Sequence, residues 1–493
     1  MSEDQMLQPG LNCWRVENAE RFAFIVDGAD YFISLRKALL KARQSIMLVG
    51  WDFDTRISLG ESNDGGPQYL GDFILWLADR TPSLEIRLLR WDTGALRALL
   101  RGNMLWTVMR WKAHPRITLK FDAKHPIAAS HHQKIVAIDD SIAFCGGIDL
   151  TMRRWDTREH LDDDPRRVTP SGCPQEPWHD TTSAFDGDAA KAIGDLARMR
   201  WEAATGEALG PCAERHDCWP ETLVATFANM HLGIARTLPK MENQLPVHEI
   251  EAAWLDMVRR AKGLIYAESQ YFASRKIAHA LAERLLEPDP PEIIIVTPNS
   301  AQGWLEPLAM DTARARLVKA LQRIDHSGRL RIWHPQTANG NPIYVHAKIM
   351  VVDDTILRVG SSNLNNRSMR LDSECDIILS ADEDKYKGLR LEISRLRNDL
   401  IAEHLGVTEE VVSRLYAETG SMIETIETLS GTGRSLYPYK LPELSEIEKW
   451  LAENEILDPN GPEEIFESTS KRGLFKGWNR LKMRFRTARH NNH

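Results

Sequence analysis

Cysteine is scarce: six residues in 493, Cys13, Cys145, Cys173, Cys212, Cys218 and Cys375, with no C-x-x-C pair. A disulfide framework is therefore not expected; reduced thiols are the simplest reading, with a Cys212–Cys218 bridge as the alternative. Long apolar runs are missing too, and nothing approaches the roughly 18 consecutive apolar residues needed to span a bilayer. The opening Met1-Ser2-Glu3-Asp4-Gln5 has no basic and apolar leader, so no secretory signal is expected. The expected location is cytoplasmic, peripherally associated with a membrane, with export by a signal-independent secretion system as the alternative. Positive charge is also in short supply. The net charge is −8, yet residues 471–493 carry eight basic side chains and no acidic one, so the rest is more acidic still. Such a body repels polyanions, and nucleic acid is not expected as a partner.

What is present is a short pattern that occurs twice. His132-Gln133-Lys134-Ile135-Val136-Ala137-Ile138-Asp139 and His346-Ala347-Lys348-Ile349-Met350-Val351-Val352-Asp353 both read His-x-Lys-x4-Asp. Between Lys and Asp the residues are apolar and mostly β-branched, as in a strand buried on both faces. His and Lys, two apart, then share a face. A paired imidazole and ammonium suit a phosphate: Lys binds its oxygens, and His attacks phosphorus or carries a proton near neutral pH. Two copies suggest two half-sites facing each other.

The flanking sequence is also duplicated. A helical stretch (31–42), a strand (45–51), a helix (69–78), a strand (84–89), a helix and a strand (117–121) lead to the first motif. A helix (251–262) and strands at 263–268, 292–296 and 330–333 lead to the second at a similar offset. This order predicts an α/β layered fold, duplicated into two pseudo-equivalent lobes. The lobes are placed at residues 1–235 and 236–430, followed by a linker and basic tail over 431–493. Behind each motif comes a turn, Gly146-Gly147-Ile148-Asp149 and Gly360-Ser361-Ser362-Asn363. Small residues there let backbone amides approach an anion, with Asp149 and Asn363 beside it.

These features closely resemble the phospholipase D superfamily, whose signature is the duplicated motif, from about residue 20 to about 410. Gly146-Gly147-Ile148-Asp149-Leu150, Arg154-Trp155-Asp156-Thr157, Pro177-Trp178-His179-Asp180, Glu268-Ser269-Gln270-Tyr271-Phe272 and Glu403-His404-Leu405-Gly406 look like landmarks of its eukaryotic-type branch. Glu268-Ser269-Gln270 departs from the usual Glu-Asn-Gln, and the sequence leaves no room for N-terminal lipid-binding modules.

The resemblance implies an α/β fold of two pseudo-twofold related lobes, each a mainly parallel sheet flanked by helices, with the active site at the lobe interface. It also implies hydrolysis of membrane phospholipids to phosphatidic acid through a phosphohistidine, with transphosphatidylation to primary alcohols. His132 is the expected nucleophile and His346 the general acid/base. Lys134, Lys348 and Asn363 should hold the phosphate. The family pattern points to Glu374 as partner of His346 and to Asp180 as partner of His132, while Asp139 and Asp353 should brace the scaffold. No metal or cofactor is expected. The alternatives are a phosphatidyltransferase of cardiolipin-synthase type and a nuclease carrying the same motifs.

Other features have plainer readings. Asp162-Asp163-Asp164 reads as a solvated loop rather than a calcium site, and Trp51, Trp155 and Trp178 are divided between core and lipid contact. In the tail, Leu474, Trp478, Leu481 and Phe485 fall at helical spacing among basic residues. This is the pattern of an interfacial amphipathic helix that docks on a phospholipid surface.

Overall fold

The computed structural model describes residues 5–60, 63–92, 104–126, 129–242, 244–301, 310–382 and 386–441. The tail over 471–493 lies outside them. The first half runs β1 (Arg15–Val26), α1 (Gly28–Leu39), β2 (Ser45–Gly50), α2 (Leu70–Arg80), β3 (Glu85–Trp91), α3 (Met104–Ala113) and β4 (Ile117–Asp122). Next come β5 (Ile135–Ile138), β6 (Ile142–Gly146), β7 (Trp178–His179), β8 (Thr181–Asp186) and α4 (Gly187–Thr205). The second half repeats the order: β9 (Phe227–Leu238), β10 (Val247–His248), α5 (Glu249–Arg260), β11 (Leu264–Ser269), α6 (Arg275–Leu285), β12 (Glu292–Val296), α7 (Thr312–Ile324) and β13 (Leu330–Gln336). It continues with β14 (Tyr344–Val345), β15 (Lys348–Val352), β16 (Ile356–Gly360), α8 (Asn366–Arg370), β17 (Glu374–Ser380) and α9 (Lys387–Leu405). Helices α10 (Glu409–Thr419) and α11 (Met422–Leu429) and strand β18 (Ser435–Pro438) close the described chain.

The α/β architecture is as expected, but the two halves share one continuous sheet, in the order β18-β13-β12-β11-β15-β16-β17-β9-β1-β8-β6-β5-β2-β3-β4. The order is close to a palindrome about the β9–β1 pair, which is the pseudo-twofold relation. The strand sense corrects the expectation of mainly parallel sheets. Within this sheet, among the described residues, only β2–β3, β3–β4, β11–β12 and β12–β13 are parallel. The centre is antiparallel because β5–β6 and β15–β16 are joined by turns too short for a crossover. The division at residues 235 and 236 falls inside β9, the counterpart of β1, so the second half starts before it.

Both motif strands are buried on both faces. Ile135 and Ala137 enter the core packed against α4, whereas Val136 and Ile138 enter the one beneath α1 and α2. In the second half Ile349 and Val351 join the same first core, and Met350 and Val352 a third under α5 and α6. One face of the sheet thus carries a core common to both halves. The six cysteines are all free thiols.

Each motif ends on an Asp with left-handed backbone, φ 52° at Asp139 and 49° at Asp353, a conformation that Asp tolerates better than most residues. Asp139 accepts the N–H groups of Arg43, Gln44 and Ser45 at 2.6–2.9 Å. Asp353 accepts those of Lys262, Gly263 and Leu264 at 2.8–3.0 Å. Each carboxylate thereby fixes the turn that leads into the neighbouring strand, β2 or β11. Asp139→Ala leaves three backbone donors without that acceptor and is expected to cost about 3 kcal/mol in urea unfolding. A loss under about 1 kcal/mol would contradict this account of the carboxylate.

Candidate active site

β2 and β11 end where β5 and β15 begin, and both motif histidines stand at that end of the sheet. Two short parallel pairings cross between the halves there. His131 bridges to Ser373, and β14 pairs with β7, Val345 opposite His179. The backbone N–H of His132 donates to the Ser373 carbonyl at 2.9 Å, and that of His346 to the His179 carbonyl at 2.7 Å.

This crossing decides the carboxylate partners, and it reverses the pairing expected from sequence. His132 Nδ1 lies 3.0 Å from both oxygens of Glu374. His346 Nδ1 lies 2.6 Å from Asp180 Oδ2. Each histidine is hung on the backbone of the opposite half, so the next residue along that backbone supplies its carboxylate. Nδ1 is thereby engaged in each ring, and Nε2 remains for chemistry.

The carboxylates are held differently. Glu374 accepts the hydroxyls of Ser361 at 2.5 Å and Ser368 at 2.7 Å. Asp180 accepts the Thr181 N–H at 2.9 Å and packs against Gly147, where a Cβ would lie 2.1 Å from its Oδ1. Only glycine leaves room for Asp180 at this turn.

Lys134 and Lys348 each donate to the carbonyl of their own motif histidine. Lys134 also pairs with Asp149 at 3.1 Å, and Lys348 faces Gln270 Oε1 at 3.5 Å. Asp149, expected beside the phosphate, instead holds Lys134 and accepts the Trp51 N–H at 3.2 Å. A buried carboxylate has the wrong charge for a phosphate oxygen, and its place here is that of a counter-ion. Asn363 is buried, and its Oδ1 has no hydrogen-bond partner among the described residues.

Sequence reasoning left Arg154, Gln270, Ser361 and Ser368 without roles, although each sits in or beside a segment that stood out as a landmark or turn. The Arg154 guanidinium lies 4.3 Å over the Trp178 ring. Trp178 stacks on Tyr344 at 4.7 Å and lies 5.0 Å from His346, so it walls the site. Trp51 stacks on Trp91 at 5.8 Å, and Trp155 lies under Arg166. The acidic run is not simply solvated. Asp162 accepts from Thr337 and Asn341, and Asp164 caps Arg166.

Burial, then Lys134 and Lys348, holds His132 well below the usual histidine range. Burial, Lys348 and Arg154 do the same to His346. Burial pushes Glu374 up to about 8, against the pull of Lys134 and the Ser361 hydroxyl, and raises Asp180 as well. Lys348 is pushed down to about 7, chiefly by burial. A site that disfavours its own cations in this way gains most from an anion between them.

Two histidines and two lysines, with an arginine on the wall beside them, are thus brought together from both halves. The chain matches the family model described as Phospholipase D over residues 38–281 and 315–450, and it belongs to that family. It is 26% identical to Phospholipase D1 of Saccharomyces cerevisiae over 84% of this chain and 31% of that one. It is 25% identical to Phospholipase D A of Dictyostelium discoideum (78% and 36%) and 23% identical to Phospholipase D alpha 1 of Zea mays (79% and 66%). The chain thus spans about a third of the length of the first two relatives. The phosphatidylserine synthase structure from Haemophilus influenzae superposes with a TM-score of 0.55 at 15% identity, covering 77% of this chain and 86% of that one, which supports the fold.

As pH rises through about 7 the free protein loses the Lys348 proton, and with it a cation for an anionic phosphodiester. kcat/KM is expected to fall roughly tenfold per pH unit above that point. In the complex the phosphate restores the ammonium, so kcat should hold to higher pH. A kcat/KM profile flat between about pH 7 and 9 would contradict this assignment.

Proposed function

We propose that the protein is a phospholipase D that releases phosphatidic acid from membrane phospholipids. The observation that carries this reading is the facing pair of histidines, each tied through Nδ1 to a carboxylate of the other half, with Lys134 and Lys348 beside them. His132 Nε2 attacks phosphorus, and the bond to the head-group oxygen breaks as His346 delivers a proton to it. Anionic substrate raises the proton affinity of His346, which is otherwise held down, so the acid is charged when it is needed. Lys134, Lys348, Arg154 and the Asn363 amide, donating through Nδ2, surround the equatorial oxygens. His346 then takes a proton from water, which displaces His132 and yields phosphatidic acid; a primary alcohol takes the same route to a phosphatidylalcohol.

The protein reaches its substrate at a membrane surface. No helix among the described residues is long and apolar enough to cross a bilayer. Helix α3, which starts on the side of the sheet where β3 ends, exposes Leu105, Trp106 and Met109 on one face. Trp at a water–lipid boundary with apolar neighbours favours shallow insertion, and the basic tail adds attraction to anionic lipid.

Phosphatidic acid release from mixed phospholipid vesicles tests the reaction, with and without a primary alcohol. Wild type should form both products, whereas His132→Ala and His346→Ala should each lose at least about a thousandfold in rate. Transfer to glycerophospholipid with no hydrolysis would favour a phosphatidyltransferase instead. Removing residues 471–493 should weaken binding to anionic vesicles and spare turnover of a soluble short-chain phospholipid; unchanged vesicle binding would refute the tail's role.

A further inference from the structure

Directly behind Asp180, away from the reacting histidines, four side chains from four separate segments converge. Asp27 follows β1, His160 lies in the loop between β6 and β7, His179 ends β7, and Glu403 is near the end of α9. All four are buried. His179 Nδ1 lies 2.8 Å from Glu403 Oε1, and His160 Nε2 lies 3.1 Å from the same oxygen. Asp27 Oδ1 is 3.4 Å from His179 Nδ1, and Asp27 Oδ2 is 3.6 Å from His160 Nε2. One donor atom from each of the four lies within 4.8 Å of all the others.

The geometry points to a structural Zn2+ site formed by Asp27, His160, His179 and Glu403. Four N and O ligands about 2.0–2.1 Å from an ion sit about 3.3 Å from one another in a tetrahedron, close to the separations found here. The outer nitrogens are arranged as ligating histidines require. His160 Nδ1 donates to Asp156 Oδ2 at 3.0 Å, and His179 Nε2 to Glu268 Oε2 at 2.7 Å. Those two bonds fix the tautomers that turn His160 Nε2 and His179 Nδ1 inward as lone pairs. Independently, Asp27 Oδ2 is buried with no hydrogen-bond partner, which is costly for an ionised oxygen unless a cation faces it.

Charge gives the same answer. Asp27, Asp156, Glu268 and Glu403 place four carboxylates in the cluster, and Arg158 and Arg167 pair with Glu403 and Asp156. A divalent cation would offset what these two arginines and the nearby Arg434 leave uncompensated. Two imidazole donors favour zinc over calcium or magnesium, which take oxygen ligands. A cavity of about 270 Å3 lined by Glu159, His160, Gly406 and Arg434 borders the cluster at His160.

The ion would couple the two halves beneath the catalytic carboxylate. Asp27 accepts the Asp180 N–H at 3.1 Å and its own N–H donates to the Asp180 carbonyl at 2.8 Å, while Glu403 belongs to the second half. The rival occupant is a pair of protons, one on each ring.

The test uses the whole chain, incubated with ZnCl2, desalted and analysed by plasma mass spectrometry and zinc-edge X-ray absorption. The expected result is about one zinc per chain with a shell of N and O ligands near 2.0–2.1 Å and no sulfur. His160→Gln and Glu403→Gln should each reduce bound zinc at least about tenfold. If neither variant folds, the wild type decides alone: chelator should lower its melting temperature and zinc restore it. Folded wild type that keeps less than about a tenth of an equivalent overturns the proposal in favour of the doubly protonated cluster. A sulfur ligand overturns it in favour of the Asp139–His216–Cys218 group.

Discussion

The active site depends on two backbone hydrogen bonds that run between the halves of the chain. Because the His132 N–H is held by the Ser373 carbonyl and the His346 N–H by the His179 carbonyl, neither histidine is positioned by its own half alone. Carboxylate pairing follows without further specification, since Glu374 and Asp180 come next along those opposing backbones. The continuous sheet through β1 and β9 makes this crossing rigid. A hinge between lobes would separate each histidine from its partner, and a core common to both halves opposes such a hinge.

The electrostatics follow from that burial. Burying Lys134 and Lys348 near two imidazoles, with Arg154 half-buried beside them, makes every extra proton costly until an anion arrives. In the proposed reaction a phosphate would act as a missing counter-charge rather than as one more ligand, and its binding would also charge the acid. Lys134 has a carboxylate, Asp149, at 3.1 Å, whereas Lys348 has an amide oxygen at 3.5 Å in the corresponding place.

Much of this was legible in the sequence. The duplicated motif, the repeated element order and the apolar residues between Lys and Asp announced two half-sites on buried strands. Three things were not. Alternating helices and strands suggest crossovers, so the antiparallel centre stayed hidden although the turns after Asp139 and Asp353 were short. The His–carboxylate pairing was read the wrong way round, each histidine being assigned the carboxylate that follows its own motif, Asp180 for His132 and Glu374 for His346, whereas the actual partners are 242 and 166 residues apart. The landmarks holding His179, Glu268 and Glu403 were visible one by one, but their convergence belongs to the fold.

Duplication within one chain also removes a constraint that a symmetric dimer would impose. Two identical subunits must give both histidines the same partner in the same surroundings. Here the two positions have diverged. Glu374 reaches its histidine across a serine turn and is held by two hydroxyls that can reorient. Asp180 is shorter, is packed against Gly147, and is tied by its backbone to Asp27 and so to the charged cluster behind it. The two carboxylates are thus held by different kinds of contact, hydroxyls at Glu374 and close packing at Asp180. A reaction that needs a nucleophile at one histidine and a proton donor at the other benefits from that difference.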